Sequence, residues 1–198
     1  MNEAFENEIR FREKEFSTYE SINVYVVTWN LAGCPLNPLV DFLDLFNPRG
    51  NLPPDLVVIG FQEYIELSAT SVVLANQGKE LILQYIEIMK ETLGKFEKYI
   101  MVSARELVGL LVLVFVKQSH SNRIQHVDTE KVKTGLSGNF GNKGAVLVKL
   151  NYDDTSLCFV NCHLEHDAKN LSERTNSLND IHQKAFQEEG LGKRRVMG

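Results

Sequence analysis

Leu107-Val-Gly-Leu-Leu-Val-Leu-Val-Phe-Val116 is the longest apolar run in this 198-residue chain. At ten residues it falls well short of the roughly 20 that a membrane-spanning helix needs. Its Val, Leu and Phe content instead reads as a strand buried on both faces. Residues 99–104 read as a neighbouring strand, and Leu56–Gly60 as a second buried one. The clearest helix lies between them, where Ile82, Ile86, Met89 and Leu93 recur at helical spacing. Ile22–Thr28, rich in β-branched residues, is expected to be another buried strand. Leu39–Phe46 reads as a short amphipathic segment stopped by the turn cluster of residues 47–54. Further on, residues 124–134, 145–150 and 156–163 read as strands, the last two joined by a turn at Asn151–Asp154. Residues 2–17 fit a short helix or an extended lead-in, and residues 170–189 a polar helix. The pattern is mixed α/β with a run of antiparallel strands.

Composition bounds the rest. Hydrophobic residues are 43% and charged residues 24% of the chain, which fits a globular domain with a real core and excludes disorder or coiled coil. The acidic start, MNEAFENEIR, has no apolar segment of a signal peptide. Cys34, Cys158 and Cys162 have no zinc-type spacing, and the last two share one strand face, so a reduced, intracellular protein is expected. The net charge of −5 argues against broad nucleic-acid binding. Between Lys117 and Lys149, however, six basic residues face only two acidic ones. A local basic face on an acidic protein suits a small, highly charged anion.

Four strand ends carry polar groups: Asn30 after Val24–Trp29, Glu63 after Leu56–Gln62, His163 after Asn161, and Asn142 and Lys143 before Ala145. Loops at sheet ends are where α/β folds place ligands, so the four could meet at one edge. Asn30 and Glu63 offer oxygen donors suited to Mg²⁺, which takes one or two carboxylates and leaves positions for water or phosphate. His163 could steady phosphate charge or donate a proton. The glycines at 135, 138, 141 and 144 could bare backbone N–H groups to a phosphate, with Lys143 adding a point charge. No Walker A spacing is present. Taken singly, Asn30 reads better as a turn residue, Glu63 as a helix-start carboxylate and His163 as a structural histidine, and the glycines could merely permit a tight hairpin.

Taken in order, the motifs Thr28-Trp-Asn30, Gly60-Phe-Gln-Glu63, Val132-Lys-Thr-Gly135, Gly141-Asn-Lys-Gly-Ala-Val146 and Phe159-Val-Asn-Cys-His-Leu164 say more. They resemble the catalytic domain of the inositol polyphosphate 5-phosphatases, within the endonuclease/exonuclease/phosphatase superfamily, and most resemble its synaptojanin-type branch. The resemblance implies a two-sheet α/β sandwich flanked by helices. It implies Mg²⁺-dependent removal of the 5-phosphate from phosphoinositides or inositol polyphosphates. Asn30 and Glu63 then look like metal-site residues, His163 like the histidine at the scissile phosphate, and Asn142 and Lys143 like substrate-side residues. Arg174 matches a family stretch read as structural.

The resemblance also sets expectations about extent. Residues 1–20 are a lead-in, and residues 21–198 resemble the N-terminal portion of the domain, incomplete at its C-terminus. The family's downstream Gly-Asp-x-Asn, Pro-x-Trp-Cys-Asp-Arg and Ser-Asp-His motifs do not occur in these 198 residues. The chain alone is therefore expected to be poorly folded or inactive. The expected setting is cytoplasmic and transiently peripheral at membranes. Two other readings stand beside this one: a phosphodiesterase or nuclease of the same superfamily, and a non-catalytic remnant that binds a partner or anionic lipid, helped by Lys193-Arg-Arg195.

Overall fold

The structure, a computed structural model, describes residues 3–38, 42–46, 53–65, 71–135, 140–166 and 168–187. The lead-in is helical: α1 spans Glu3–Phe16. Strand β1 (Val24–Asn30) and the short α2 (Leu43–Phe46) precede β2 (Leu56–Gln62). Helix α3 (Ser71–Gly94) leads to the hairpin of β3 (Tyr99–Leu107) and β4 (Leu110–Lys117), which turns at Gly109. A 3-10 turn, Gln118–Arg123, crosses to β5 (Ile124–Gly135), β6 (Phe140–Tyr152) and β7 (Thr155–His163). Helix α4 spans Leu171–Lys184.

These strands form two sheets, ordered β1-β2-β4-β3 and β5-β6-β7. Only β1 and β2 pair in parallel; every other pair is antiparallel. Alternation along each strand builds three apolar layers. Leu56, Val58, Val112 and Val114 of the first sheet meet Val146, Val148 and Leu150 of the second between the sheets. On the first sheet's outer side, Val57, Ile59, Phe61, Leu113 and Phe115 pack under Tyr85, Met89 and Leu93 of α3. On the second sheet's outer side, Val132, Ala145 and Leu147 pack under Ile181 of α4. The order helix, sheet, sheet, helix is the flanked sandwich expected from sequence.

The strand at Val24–Asn30 is not buried as expected. It lies at the sheet edge, Val27 is its one buried residue, and Val26 on its inner face is 61% exposed. Among the described residues the second sheet has three strands to the first sheet's four, and Val24, also on β1's inner face, is 39% exposed. Strand β6 starts at Phe140 rather than 145 because its glycine-rich start pairs with both neighbours: Gly135 faces Phe140, and Gly144 faces His163. Leu39–Val40–Asp41, most of the turn cluster, the centre of the glycine loop and the Lys193–Arg195 tail lie outside the described residues. No helix among the described residues is long and apolar enough to cross a membrane.

A polar lattice closes one end of the sandwich. The Lys117 ammonium donates to Asp55 Oδ1 at 2.8 Å, and the Asn23 backbone N–H donates to Asp55 Oδ2 at 2.7 Å. Tyr152 bonds His120 Nδ1, and Arg123 bridges Glu20 and Asp153 from above the Tyr152 ring. Side chains of both sheets and of the 3-10 turn are thereby tied at the end where β2 and β7 begin.

Candidate active site

The opposite end gathers the polar strand termini. Because β1 and β2 are parallel and in register, Asn30 stands beside Gln62, and Glu63 follows directly. Because β7 runs antiparallel to β6, His163 stands opposite Gly144 and next to Lys143. Asn30 Nδ2 donates to Glu63 Oε1 at 3.0 Å, and Asn30 Oδ1 accepts the Ala32 backbone N–H at 2.8 Å. His163 Nε2 lies 3.2 Å from Glu63 Oε1 across the two sheets. Lys143 Nζ lies 2.8 Å from the same imidazole nitrogen. Four of the five sequence-selected residues therefore meet. The side chain of Asn142, the fifth, lies outside the described residues.

The backbone under these groups is held in uncommon conformations. Ala32 and Glu63 have φ of 51° and 50°, in the left-handed region that non-glycine residues enter at a cost of about 1–3 kcal/mol. Hydrogen bonds compensate: Leu31 N–H donates to the Gln62 carbonyl and Gly33 N–H to the Glu63 carbonyl, both at 2.8 Å. Glycine is obligatory at 144, where φ is 147° and a Cβ would stand 2.1 Å from the Val132 carbonyl oxygen. That backbone contact holds β6 against β5 just where Lys143 leaves for the site.

One imidazole nitrogen faces both an ammonium and a carboxylate. Nε2 accepts from Lys143 when it carries a lone pair and donates to Glu63 when it carries a proton, so it satisfies one neighbour at a time. Burial lowers the Lys143 pKa, and the Glu63 and Glu165 carboxylates work against that shift. Within hydrogen-bond reach the cluster thus holds oxygen donors that suit a hard cation and nitrogen groups that suit a phosphate. Asn30 and Glu63 together supply one carboxylate and one amide oxygen, which fits a cation that takes its remaining ligands from water or substrate. No group of three or more His, Cys, Asp or Glu placed to hold a metal ion occurs among the described residues.

Residues 27–195 match the model of the Endonuclease/Exonuclease/phosphatase family 2. The chain belongs to this family. Among its relatives, Inositol-1,4,5-trisphosphate 5-phosphatase 1 of Schizosaccharomyces pombe is 32% identical over 91% of this chain and 17% of its own length. Human Synaptojanin-1 is 32% identical over 86% of this chain and 10% of its own length. Among solved structures, the inositol polyphosphate 5-phosphatase domain of SPsynaptojanin, in complex with inositol (1,4)-bisphosphate and calcium ion, superposes with a TM-score of 0.74 at 30% identity. That match covers 92% of this chain and 52% of the other, so the chain spans about half of that domain. The resemblance to inositol polyphosphate 5-phosphatases read from the motifs, and the sandwich it implied, are both upheld.

Behind the four meeting residues lies a polar group that the motifs alone did not single out. Gln62 Nε2 donates to Thr28 Oγ1 at 3.0 Å and also to Asn161 Oδ1. The signal available in sequence was Gly60, a glycine inside an otherwise apolar strand, which marks a close approach by another chain segment. Arg174, read as structural, donates from Nη1 to the Glu165 carbonyl at 3.5 Å, and Ser177 Oγ donates to the Glu165 carboxylate at 3.1 Å. Both contacts tie α4 to the segment that follows β7.

Proposed function

We propose that Asn30, Glu63, Lys143 and His163 form one side of an Mg²⁺-dependent inositol phosphate 5-phosphatase site, acting on phosphoinositides or soluble inositol polyphosphates. The observation that carries this reading is the meeting of Glu63 and His163 from two different sheets, 3.2 Å apart, with Lys143 beside them. Relatives named as 5-phosphatases, and the related domain solved with inositol bisphosphate and calcium, support the substrate class and the need for a divalent cation.

In this reading Asn30 and Glu63 hold the cation. When bound, the cation supplies Lewis acidity to a phosphoryl oxygen. Lys143 and His163 neutralise phosphate oxygens, and Asn142 joins them on the substrate side. His163 Nε2 exchanges its Glu63 and Lys143 partners for a phosphate oxygen and there donates or withholds a proton. The resemblance assigns the attacking water to a Gly-Asp-x-Asn motif that does not occur in these 198 residues, so we propose that the chain by itself binds inositol phosphates but turns them over poorly. The setting proposed is the cytoplasmic face of membranes, reached by transient contact.

The test is binding of inositol 1,4,5-trisphosphate to the purified chain by calorimetry, with and without Mg²⁺. Mg²⁺-dependent binding that Glu63→Ala abolishes and that DNA does not compete is the expected result. Competition by DNA would favour a nuclease. Liposome binding that needs no Mg²⁺ and survives Glu63→Ala would favour a non-catalytic lipid-binding module. Brisk Mg²⁺-dependent phosphate release, lost in Glu63→Ala, would support the site and overturn the claim of poor turnover.

A further inference from the structure

Asn161 sits on β7 two residues before His163, on the same strand face, and is 7% exposed. Its side chain crosses from the second sheet into the first. Asn161 Nδ2 donates to the Phe61 carbonyl at 2.9 Å and to the Leu111 carbonyl at 3.0 Å, on the adjacent strands β2 and β4. Those oxygens can only accept, which fixes the amide with its nitrogen toward them and leaves Oδ1 for Gln62 Nε2. The second Gln62 N–H goes to Thr28 on β1. Every polar hydrogen of the two amides thus has a partner, and the chain of bonds runs across β7, β2, β4 and β1.

The room for this side chain comes from Gly60. A Cβ there would stand 2.9 Å from both Asn161 Cγ and Oδ1. The first sheet has given up a side chain in the middle of its most buried strand so that a carboxamide from the opposite sheet can enter. A core that needed only volume would fill this place with an apolar side chain and leave no amide to satisfy. The flanking residues show what the amide secures: Gln62 immediately precedes Glu63, and Asn161 shares its strand face with His163.

We propose that Asn161, seated in the space left by Gly60 and coupled to Gln62 and Thr28, is a positioning residue that sets the separation of Glu63 from His163 across the two sheets. The word positioning rests on the phosphatase reading of those two residues; the inter-sheet distance it sets can be read without metal or substrate. The experiment compares the chain with Asn161→Ala, Gly60→Ala and the double variant, by thermal unfolding and by NMR of the Glu63 amide and the His163 ring, with His163→Gln used for assignment.

Each single variant is expected to lower the melting temperature: Asn161→Ala removes the peg, and Gly60→Ala pushes it out. In the double variant the added methyl partly fills the space left by the amide, so the melting temperature rises above that of Asn161→Ala. The Glu63 and His163 resonances stay displaced in it, because no bond ties the sheets at that level. The proposal is overturned if those resonances keep wild-type positions in Asn161→Ala, or return to them in the double variant together with stability. Failure of wild type to bind inositol phosphate would remove the catalytic reading while the resonances still decide the peg. If Asn161→Ala does not fold, Asn161→Asp, which keeps the shape but cannot donate to the two carbonyls, replaces it under the same criteria.

Discussion

At the scale of single residues, Asp55 shows how much one carboxylate can hold. Burial by itself would raise its pKa, but the Asn23 backbone N–H, the Lys117 ammonium and nearby His120 outweigh burial and hold it below the usual aspartate value. A group whose pKa is lower in the folded state contributes stability above its unfolded value, and that contribution fades as pH falls through the folded one. Wild type should therefore melt above Asp55→Asn at pH 7, by the equivalent of about 1–3 kcal/mol for a lost charged hydrogen bond. The gap should shrink once the pH drops below about 4, where aspartate protonates. Thermal unfolding of both proteins at pH 7 and pH 3 checks this; an equal gap at both would count against it. At the other end of the sandwich, Asn30, Glu63, Lys143 and His163 were each legible in the sequence as polar residues at strand ends. Asn161 and Gln62 were not, because a buried amide looks like any other polar residue until the opposite sheet is in place. Gly60 was the visible trace of that amide.

At the scale of elements, the interior was the most legible part. The apolar run at Leu56–Gly60 became β2, whereas Leu107–Val116, read as one strand, holds the end of β3, the turn at Gly109 and then β4; β2 and β4 are the two central strands of the first sheet. The helical spacing of Ile82, Ile86, Met89 and Leu93 became the inner face of α3, although the helix begins earlier, at Ser71. Met89 is fully buried between α3 and the sheet. Met89→Ala should destabilise the protein by about 2–5 kcal/mol, the range for truncating a large core side chain. Denaturant unfolding would show it as a lower midpoint with an unchanged slope; a shift under 1 kcal/mol would mean that α3 is not tightly docked. The misread element is β1. Its Val-Tyr-Val-Val sequence reports fitness for a pleated surface and says nothing of whether a neighbour covers it. Edge or centre is decided by which strands pair beside it, and cover by what the opposing sheet places over it, both properties of the assembled sheets.

At the scale of the whole molecule, the two sheets are held together differently at their two ends. Ion pairs and a cation–aromatic contact close one end, and an amide peg stands close behind the candidate site at the other. Between them lies an apolar layer. Salt should weaken the Arg123 pairs, whose Glu20 and Asp153 carboxylates are exposed, more than the part-buried Asp55–Lys117 pair or the amide peg, because screening acts on exposed charges and little on buried amides. The motif order in the sequence was enough to name this architecture through the family it resembles. It did not reveal the unequal strand counts.

Those unequal sheets also differ in how far along the chain their partners lie. Among the described residues, strands β5, β6 and β7 pair only with the strand just before or after them in the chain. The first sheet must bring β1 beside β2 in parallel and close β2 onto β4 across the whole of α3 and β3. Closing such loops costs entropy before any contact repays it, so non-local pairing is the slower event. In pulse-labelled hydrogen exchange during refolding, amides of β6 should gain protection before those of β2, although β2 is the more central strand in the native protein. The meander that carries Lys143 and His163 would then be in place as a template before Glu63 arrives, and assembly of the site would be the last step of folding.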